Sequence, residues 1–198
     1  MRWVRSLEEI APGCGLDEAL VWLVPPGGAG EAAARATRED FADSASLGAR
    51  RGAERLLRRR LARALGARAL GVDAAAVRFQ RAEDGAQSLV APSAAYVSAS
   101  GRDEWCLVAL GPRPLGVDVE RASPEPDGAA KLFSTSEQLE LMRLPGAERA
   151  EAFGRLWAIK EAWAKAARAS LDTALTRSIQ EPADVRRVED VVVAAIEL

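Results

Sequence analysis

The stretch LGVDVERAS, Leu115 to Ser123, carries two carboxylates, Asp118 and Glu120, inside an otherwise apolar run. Side chains of a β-strand alternate between its two faces, so both acids share one face of a predicted strand over 115–120. Two carboxylates this close raise each other's pKa unless a cation compensates for their charge. A hard divalent cation, Mg²⁺ or Mn²⁺, is the natural compensation. The alternative is a strand with a solvated polar face, which is the more common origin of such a pattern.

A later helical pattern supplies a third carboxylate. The segment RLWAIKEAWAKAARA, 155–169, repeats apolar residues at helical spacing. This predicted core stripe consists of Leu156, Ile159, Trp163 and Ala166. Glu161 and Lys165 form an i, i+4 pair on another face, one turn after Trp157. Taken alone, that pair is a surface salt bridge worth ~0.3–0.5 kcal/mol.

Lysine is scarce in this arginine-rich chain and occurs only at Lys131, Lys160 and Lys165. A compact ammonium binds differently from a planar guanidinium, so the use of lysine rather than arginine beside Glu161 suggests a specific role for the ammonium. A Mg²⁺–pyrophosphate site would use both groups, because the acid binds metal or accepts a proton and the lysine neutralises phosphate oxygens.

The composition excludes several classes of function. The chain has 198 residues, 48% of them hydrophobic and 28% charged, which is typical of a soluble globular protein of one or two domains. It contains no histidine, which excludes Ser-His-Asp and Cys-His catalysis and any histidine-ligated metal. Its net charge of −2 argues against a nucleic-acid partner.

Cysteine usage and hydropathy predict a cytoplasmic protein. Cys14 and Cys106 are the only cysteines and form no CxxC pattern, so we expect neither a zinc site nor a disulfide framework. Charged residues interrupt the N-terminal segment, which therefore does not resemble a signal peptide. No apolar run approaches the ~20 residues of a membrane span, so we expect no membrane partner.

An arginine-rich helix is predicted over 46–65. Its apolar stripe is Leu56, Leu57, Leu61, Ala64 and Leu65. Seven arginines surround the stripe: Arg50, Arg51, Arg55, Arg58, Arg59, Arg60 and Arg63. They form either the solvated face of an amphipathic helix or a basic surface for an anionic ligand or an acidic partner protein.

The remaining pattern mixes strands and helices without βαβ alternation and predicts an α+β fold. The predicted elements are strands over 16–24 and 77–85, a hairpin over 93–110 with its turn at Gly101, helices over 134–143 and 147–169, and a closing strand over 188–198. Loops are predicted at 25–30 and 123–128, and the segment 170–184 has no regular pattern. The hinge GPRP, 111–114, suggests a boundary between domains 1–112 and 113–198.

Three segments, LGVDVE, KLFSTSEQLEL and LWAIKEAWAKA, resemble in order and separation the motifs of the 4′-phosphopantetheinyl transferases. The resemblance is closest to the longer, monomeric, surfactin-synthetase-activating type and is densest over residues 93–165. It implies two similar α/β halves related by a pseudo-twofold axis, with the active site in the cleft between them. It also implies transfer of the phosphopantetheine arm of coenzyme A to a serine of an acidic acyl or peptidyl carrier protein, with release of 3′,5′-ADP.

The resemblance assigns roles to individual residues. Asp118, Glu120 and Glu161 match the metal-binding acids, for Mg²⁺ with Mn²⁺ as an alternative, and Glu161 also matches the proposed base. Lys165 matches the lysine that contacts the phosphates. The implied coenzyme A contacts are Ser98, Ala99, Ser100, Asp118 and Lys165, to which we add Arg51 and Arg55 of the basic helix.

Two departures from the family pattern affect the nucleotide side of the predicted site. The family's S-H-S is SAS here, with Ala99 in place of histidine, and its G-K-P is GAQ, with Ala86 in place of lysine. Arg50, Arg51 or Arg55 could supply the missing charge, because a guanidinium binds phosphate bidentately. The alternatives to an active transferase are a protein that binds coenzyme A or a carrier without efficient transfer, and a different Mg²⁺-dependent phosphate-processing enzyme.

Overall fold

The computed structural model describes residues 1–29, 33–45, 47–122, 128–179 and 182–198. The chain divides into two compact units, Met1–Arg113 and Pro114–Leu198. Both combine helices with a β-sheet, so the α+β class is confirmed. Within the described ranges, no helix is long and apolar enough to cross a membrane. Part of the predicted loop 25–30 and nearly all of the predicted loop 123–128 lie outside these ranges.

A six-stranded sheet forms the base of the first unit. Its strands are β1 (Arg2–Val4), β2 (Leu20–Val24), β3 (Arg78–Arg81), β4 (Gln87–Ala91), β5 (Ala95–Arg102) and β6 (Trp105–Gly111). Their spatial order is β1-β2-β6-β5-β4-β3; β1 runs parallel to β2, and all other neighbours are antiparallel. The strand predicted over 16–24 begins only at Leu20, and β1 and β4 were not predicted.

Two helices accompany this sheet, α1 (Arg38–Ala45) and α2 (Ala49–Leu70). Helix α2 corresponds to the helix predicted over 46–65, of which Ser46 lies outside the described residues. Leu61 and Leu65 of α2 are fully buried and join the strand residues Val108 and Leu110 in one hydrophobic core. The apolar stripe therefore positions α2 on the sheet by removing its leucines from water.

The expectation that the seven arginines around the apolar stripe are solvated or bind a ligand is wrong for two of them. Arg59 and Arg63 are only 4% and 1% exposed. Their guanidinium groups donate hydrogen bonds to the carboxylate of Asp40 on α1, at 2.9 Å from Arg59 Nε and 2.7 Å from Arg63 Nη2. Arg63 also donates to the carbonyl oxygen of Val77. These two arginines hold α1 against α2, because a buried charge needs a buried partner.

The Asp40 cluster predicts an acid-sensitive contribution to stability. Burial alone would raise the pKa of Asp40, but hydrogen bonds from Arg63 and Arg59 outweigh it and hold the pKa at about 2. The folded-state pKa therefore lies below the value of 3.8 of an ordinary aspartate. The stabilisation is present above pH ~4 and is lost as the pH falls towards 2.

Asp40→Asn should therefore lower the free energy of unfolding by at least about 2 kcal/mol at pH 7 and flatten its decline between pH 4 and 2. Urea unfolding at several pH values measures both effects. Glu39→Gln on the same helix is the control, since its ion pair with Arg78 is exposed and contributes less than ~1 kcal/mol. An equal loss of unfolding free energy in the two variants would show that the buried Asp40 cluster stabilises the fold no more than an exposed ion pair.

The hairpin predicted over 93–110 is formed by β5 and β6, but its turn is not at Gly101. The turn residues are Asp103 and Glu104, which have φ angles of 46° and 70°. Gly101 lies inside β5 and pairs with Cys106 of β6. A glycine inside a strand often marks a close approach of another group rather than a turn.

The second unit contains a three-stranded antiparallel sheet and three α-helices in its described part. The elements are β7 (Leu115–Arg121), α3 (Thr135–Arg143), α4 (Gly146–Ala167), α5 (Leu171–Thr176), β8 (Ala183–Val188) and β9 (Val191–Glu197). The sheet order is β7-β9-β8. The segment 170–184 was predicted to be irregular, but it contains α5 and the start of β8. The closing strand is the second arm of the β8–β9 hairpin.

Helix α4 crosses β7 at Gly116. A Cβ atom on Gly116 would lie 1.9 Å from the carbonyl oxygen of Ala162 and 2.7 Å from the amide nitrogen of Ala166. No side chain fits at this crossing, so the glycine of LGVDVE permits the direct contact of helix and strand. This contact carries Lys165, the residue before Ala166, to the middle of β7.

Candidate functional site

The strand β7 presents Asp118 as a buried acid. Asp118 is 3% exposed and faces Ala194 of β9 in the antiparallel register. Burial excludes the solvated-strand interpretation at this position. Glu120 is half-buried nearer the end of the strand, where its carboxylate accepts a hydrogen bond from the backbone N–H of Arg121 at 2.8 Å.

Lys165 joins the strand to the helix. Its Nζ atom donates to Asp118 Oδ1 at 2.7 Å and to the carbonyl oxygen of Val117 at 3.1 Å. The same Nζ lies 3.6 Å from Glu161 Oε2. One ammonium therefore compensates two carboxylates that come from segments far apart in the chain, and the i, i+4 pair is more than a surface salt bridge.

Glu161 is oriented by a tryptophan one helical turn earlier. Trp157 Nε1 donates a hydrogen bond to Glu161 Oε1 at 3.0 Å. The Trp157 ring is held in turn by Phe133 and Phe153, whose ring centroids lie 6.1 Å and 5.8 Å from it. The two oxygens of Glu161 thus have different surroundings, because Oε1 meets the indole and Oε2 faces the ammonium.

A second ion pair fixes the helix that carries Glu161. Lys160 is completely buried, and its Nζ donates to Glu137 Oε2 at 2.7 Å and to the carbonyl oxygens of Leu175 and Arg177. Glu137 also accepts from the backbone N–H of Ser134 at the start of α3. This arrangement ties α3 and α5 to α4. The sequence interpretation missed it, although the S-T-S-E capping pattern marks Glu137 and the scarcity of lysine marks Lys160.

These acids are of the residue type that binds a hard divalent cation, but in this structure they are not spaced to enclose one. Carboxylate oxygens are the ligands that Mg²⁺ prefers, and Asp118 and Glu161 already share one positive charge, the Lys165 ammonium. Across the described ranges, however, no three acids or cysteines lie close enough together to enclose a metal ion. The structure brings together Asp118, Glu161 and Lys165, and Glu120 lies further along β7, where the backbone N–H of Arg121 donates to it.

Apart from Asp118 and Lys165, the predicted coenzyme A contacts belong to the first unit. Ser98, Ala99 and Ser100 are consecutive residues of β5; Ser98 is buried and the other two are half-buried. Arg51 on α2 is exposed. Arg55 is half-buried, and its Nη1 lies 4.0 Å from Asp43 Oδ2.

Comparison with known proteins finds that the second unit is similar in sequence to one superfamily. The sequence model of the 4′-phosphopantetheinyl transferase superfamily matches residues 114–190. That range contains Asp118, Glu120, Glu161 and Lys165.

Two curated proteins of Bacillus subtilis are similar to this chain. One, named 4′-phosphopantetheinyl transferase, is 30% identical over 108 residues, which cover 54% of this chain and 48% of the relative. The other, 4′-phosphopantetheinyl transferase Sfp of strain 168, is 27% identical over 106 residues, which cover 53% and 47%. The chain thus spans about half the length of the curated relatives it matches.

Proposed function

We propose that this chain transfers the 4′-phosphopantetheine arm of coenzyme A to a serine of an apo acyl or peptidyl carrier protein, with Mg²⁺, and releases 3′,5′-ADP. One observation carries the proposal most strongly. A single ammonium, Lys165, contacts both Asp118 and Glu161 inside the segment that matches the superfamily model. The names of the two curated relatives support the same activity.

The residues of the second unit would divide the work as follows. Asp118, Glu120 and Glu161 would hold the Mg²⁺, which supplies charge neutralisation at the pyrophosphate when bound. Lys165 would turn its ammonium from the carboxylates towards a phosphate oxygen, since an ammonium rotates freely and carries three donors. Trp157 would keep Glu161 in position through the hydrogen bond to Oε1.

The proposed reaction is a phosphoryl transfer in which a carboxylate of the protein acts as the general base. The carrier serine oxygen forms a bond to the phosphorus that bears the pantetheine arm, and the bond from that phosphorus to the 3′,5′-ADP oxygen breaks. The serine proton passes to a Glu161 carboxylate oxygen, directly or through a water molecule. In this proposal the protein acts as a monomer in the cytoplasm, and coenzyme A and an acidic carrier protein are its partners.

A second candidate function rests on the two alanines of the first unit. Ala86 and Ala99 carry no charge where the family pattern has lysine and histidine. A protein weakened in this way would bind coenzyme A or a carrier without efficient transfer. The presence of Asp118, Glu120, Glu161 and Lys165 favours the transferase.

A mass measurement separates these two functions. The protein is incubated with coenzyme A, Mg²⁺ and a panel of apo carrier proteins from fatty-acid, polyketide and nonribosomal-peptide assembly. We expect at least one carrier to gain the mass of one phosphopantetheine group, and the same carrier with its serine changed to alanine to gain none. If coenzyme A binds but every carrier keeps its original mass, the binding function replaces the transferase.

A further inference from the structure

The first unit contains an open groove of about 750 Å³ between α2 and the β5–β6 hairpin. Its lining includes Arg50, Glu54, Leu57, Arg58, Gly101 and Cys106. Arg51 and Arg55, which the sequence suggested for coenzyme A, do not line it. The groove lies beside the strand that carries Ser98, Ala99 and Ser100, because Gly101 is the next residue of β5.

Arg58 differs from the arginines that follow it along α2. Its side chain is half-buried, yet within the described parts of the chain no carboxylate or carbonyl oxygen accepts a hydrogen bond from it. By contrast, Arg59 and Arg63 bind Asp40, and Arg60 donates to the carbonyl oxygen of Ala34 at 2.7 Å. A guanidinium that is partly removed from water and lacks a partner favours an anionic ligand.

The absence of a side chain at Gly101 leaves room for the Arg58 guanidinium. A Cβ atom on Gly101 would lie 2.8 Å from Arg58 Nη1 and 3.7 Å from Arg58 Cδ. The glycine thus leaves the space in which the guanidinium lies against the strand. This close approach accounts for a glycine inside β5, where the sequence had suggested a turn.

The other charges of the groove do not neutralise Arg58. Glu54 pairs with Arg50 at 3.0 Å, and Asp103 lies 3.7 Å from Arg102. Glu104 is exposed at the tip of the hairpin. Burial raises the pKa of the Cys106 thiol, against the opposing effect of the Arg58 charge, so the thiol is neutral at pH 7.

We propose that Arg58 binds a phosphate group of the nucleotide end of coenzyme A in this groove. The inference rests on the proposed function, which supplies the ligand. A guanidinium offers two parallel N–H donors to phosphate oxygens, so one arginine provides both charge and orientation. Arg58 in this way supplies a positive charge near Ala99, where the family pattern has a histidine.

The test uses the product 3′,5′-ADP, which contains the nucleotide end without the pantetheine arm, and measures its dissociation constant by calorimetry. Arg58→Gln should weaken its binding roughly tenfold to a hundredfold, because a charge-assisted hydrogen bond is lost. Gly101→Ala should also weaken binding, because the added methyl displaces the guanidinium while Arg58 is retained. The urea midpoint of Arg58→Gln should equal that of the unmodified protein, since no described protein group depends on this side chain.

Two comparisons make the result specific. Arg5→Gln removes the same charge from an exposed position outside the groove and should leave the dissociation constant unchanged. The double variant Arg51→Ala, Arg55→Ala tests whether those arginines contribute instead. An affinity of Arg58→Gln for 3′,5′-ADP within twofold of the original, or no binding of 3′,5′-ADP to the unmodified protein, would overturn the inference.

Together with the carrier assay, the binding assay tests the role of Arg58 and the proposed transferase activity independently. Weakened 3′,5′-ADP binding in Arg58→Gln would support the groove even if no carrier were modified. Carrier modification by the unmodified protein, together with an unchanged affinity in Arg58→Gln, would refute the role of Arg58 alone.

Discussion

Glu161→Gln is expected to lower the rate of carrier modification by ~10² or more. The amide cannot accept the serine proton and is a weaker ligand for Mg²⁺ than a carboxylate. Its oxygen can still accept the Trp157 hydrogen bond, and the 2.7 Å contact between Lys165 and Asp118 does not involve it. The fold should therefore be retained, and the loss should appear in the turnover number measured with saturating coenzyme A and carrier.

Glu148→Gln is the matched control for this substitution. Glu148 lies in the first turn of the same helix and is exposed. The control should retain the original rate, and both variants should show the original circular dichroism spectrum. Turnover by Glu161→Gln within a few fold of the unmodified protein would refute the role of Glu161 as base and ligand.

Gly116→Ala is expected to destabilise the second unit severely, by about 3 kcal/mol or more. The added methyl would be 1.9 Å from the backbone oxygen of Ala162, and a helix backbone cannot rotate away as a side chain can. Helix α4 would have to move off β7, which would also remove Lys165 from Asp118. Urea unfolding and carrier modification should therefore both be impaired in this variant.

Gly146→Ala is the matched control within the same unit. Nothing lies within 4 Å of a Cβ atom at Gly146, the first residue of α4. Alanine there should be neutral or slightly stabilising, because it reduces the freedom of the unfolded chain. A Gly116→Ala protein as stable as the Gly146→Ala protein would show that α4 can leave β7 without cost.

The elements of the candidate site were predictable because their patterns are local. The alternation in LGVDVE predicts β7, and the helical spacing of 155–169 predicts α4. The i, i+4 relation places Glu161 beside Lys165 from sequence alone. The hydrogen bond from Lys165 to Asp118 was not derivable from spacing, because it depends on the close crossing of α4 and β7 at Gly116.

The parts that sequence did not predict depend on long-range partners. Helical periodicity does not distinguish Arg59 and Arg63 from the other arginines of α2, because their burial follows from Asp40 on a different helix. Lys160 is buried for the same reason, through Glu137. No residue of β8 is fully buried, and two consecutive arginines, Arg186 and Arg187, interrupt its alternation of apolar and polar residues. Its sequence pattern is therefore weak, and pairing with the buried β9 stabilises it.

The central claim, transfer of the pantetheine arm alone, is tested most directly with coenzyme A that carries one radiolabel in its pantetheine part and another in its adenine. The labelled compound, Mg²⁺ and an apo carrier protein are incubated with the unmodified chain, and the protein and small-molecule fractions are separated under denaturing conditions. The account predicts that the carrier retains the pantetheine label and that an equal amount of adenine label appears as 3′,5′-ADP. A carrier that retains neither label, or both labels together, would contradict it.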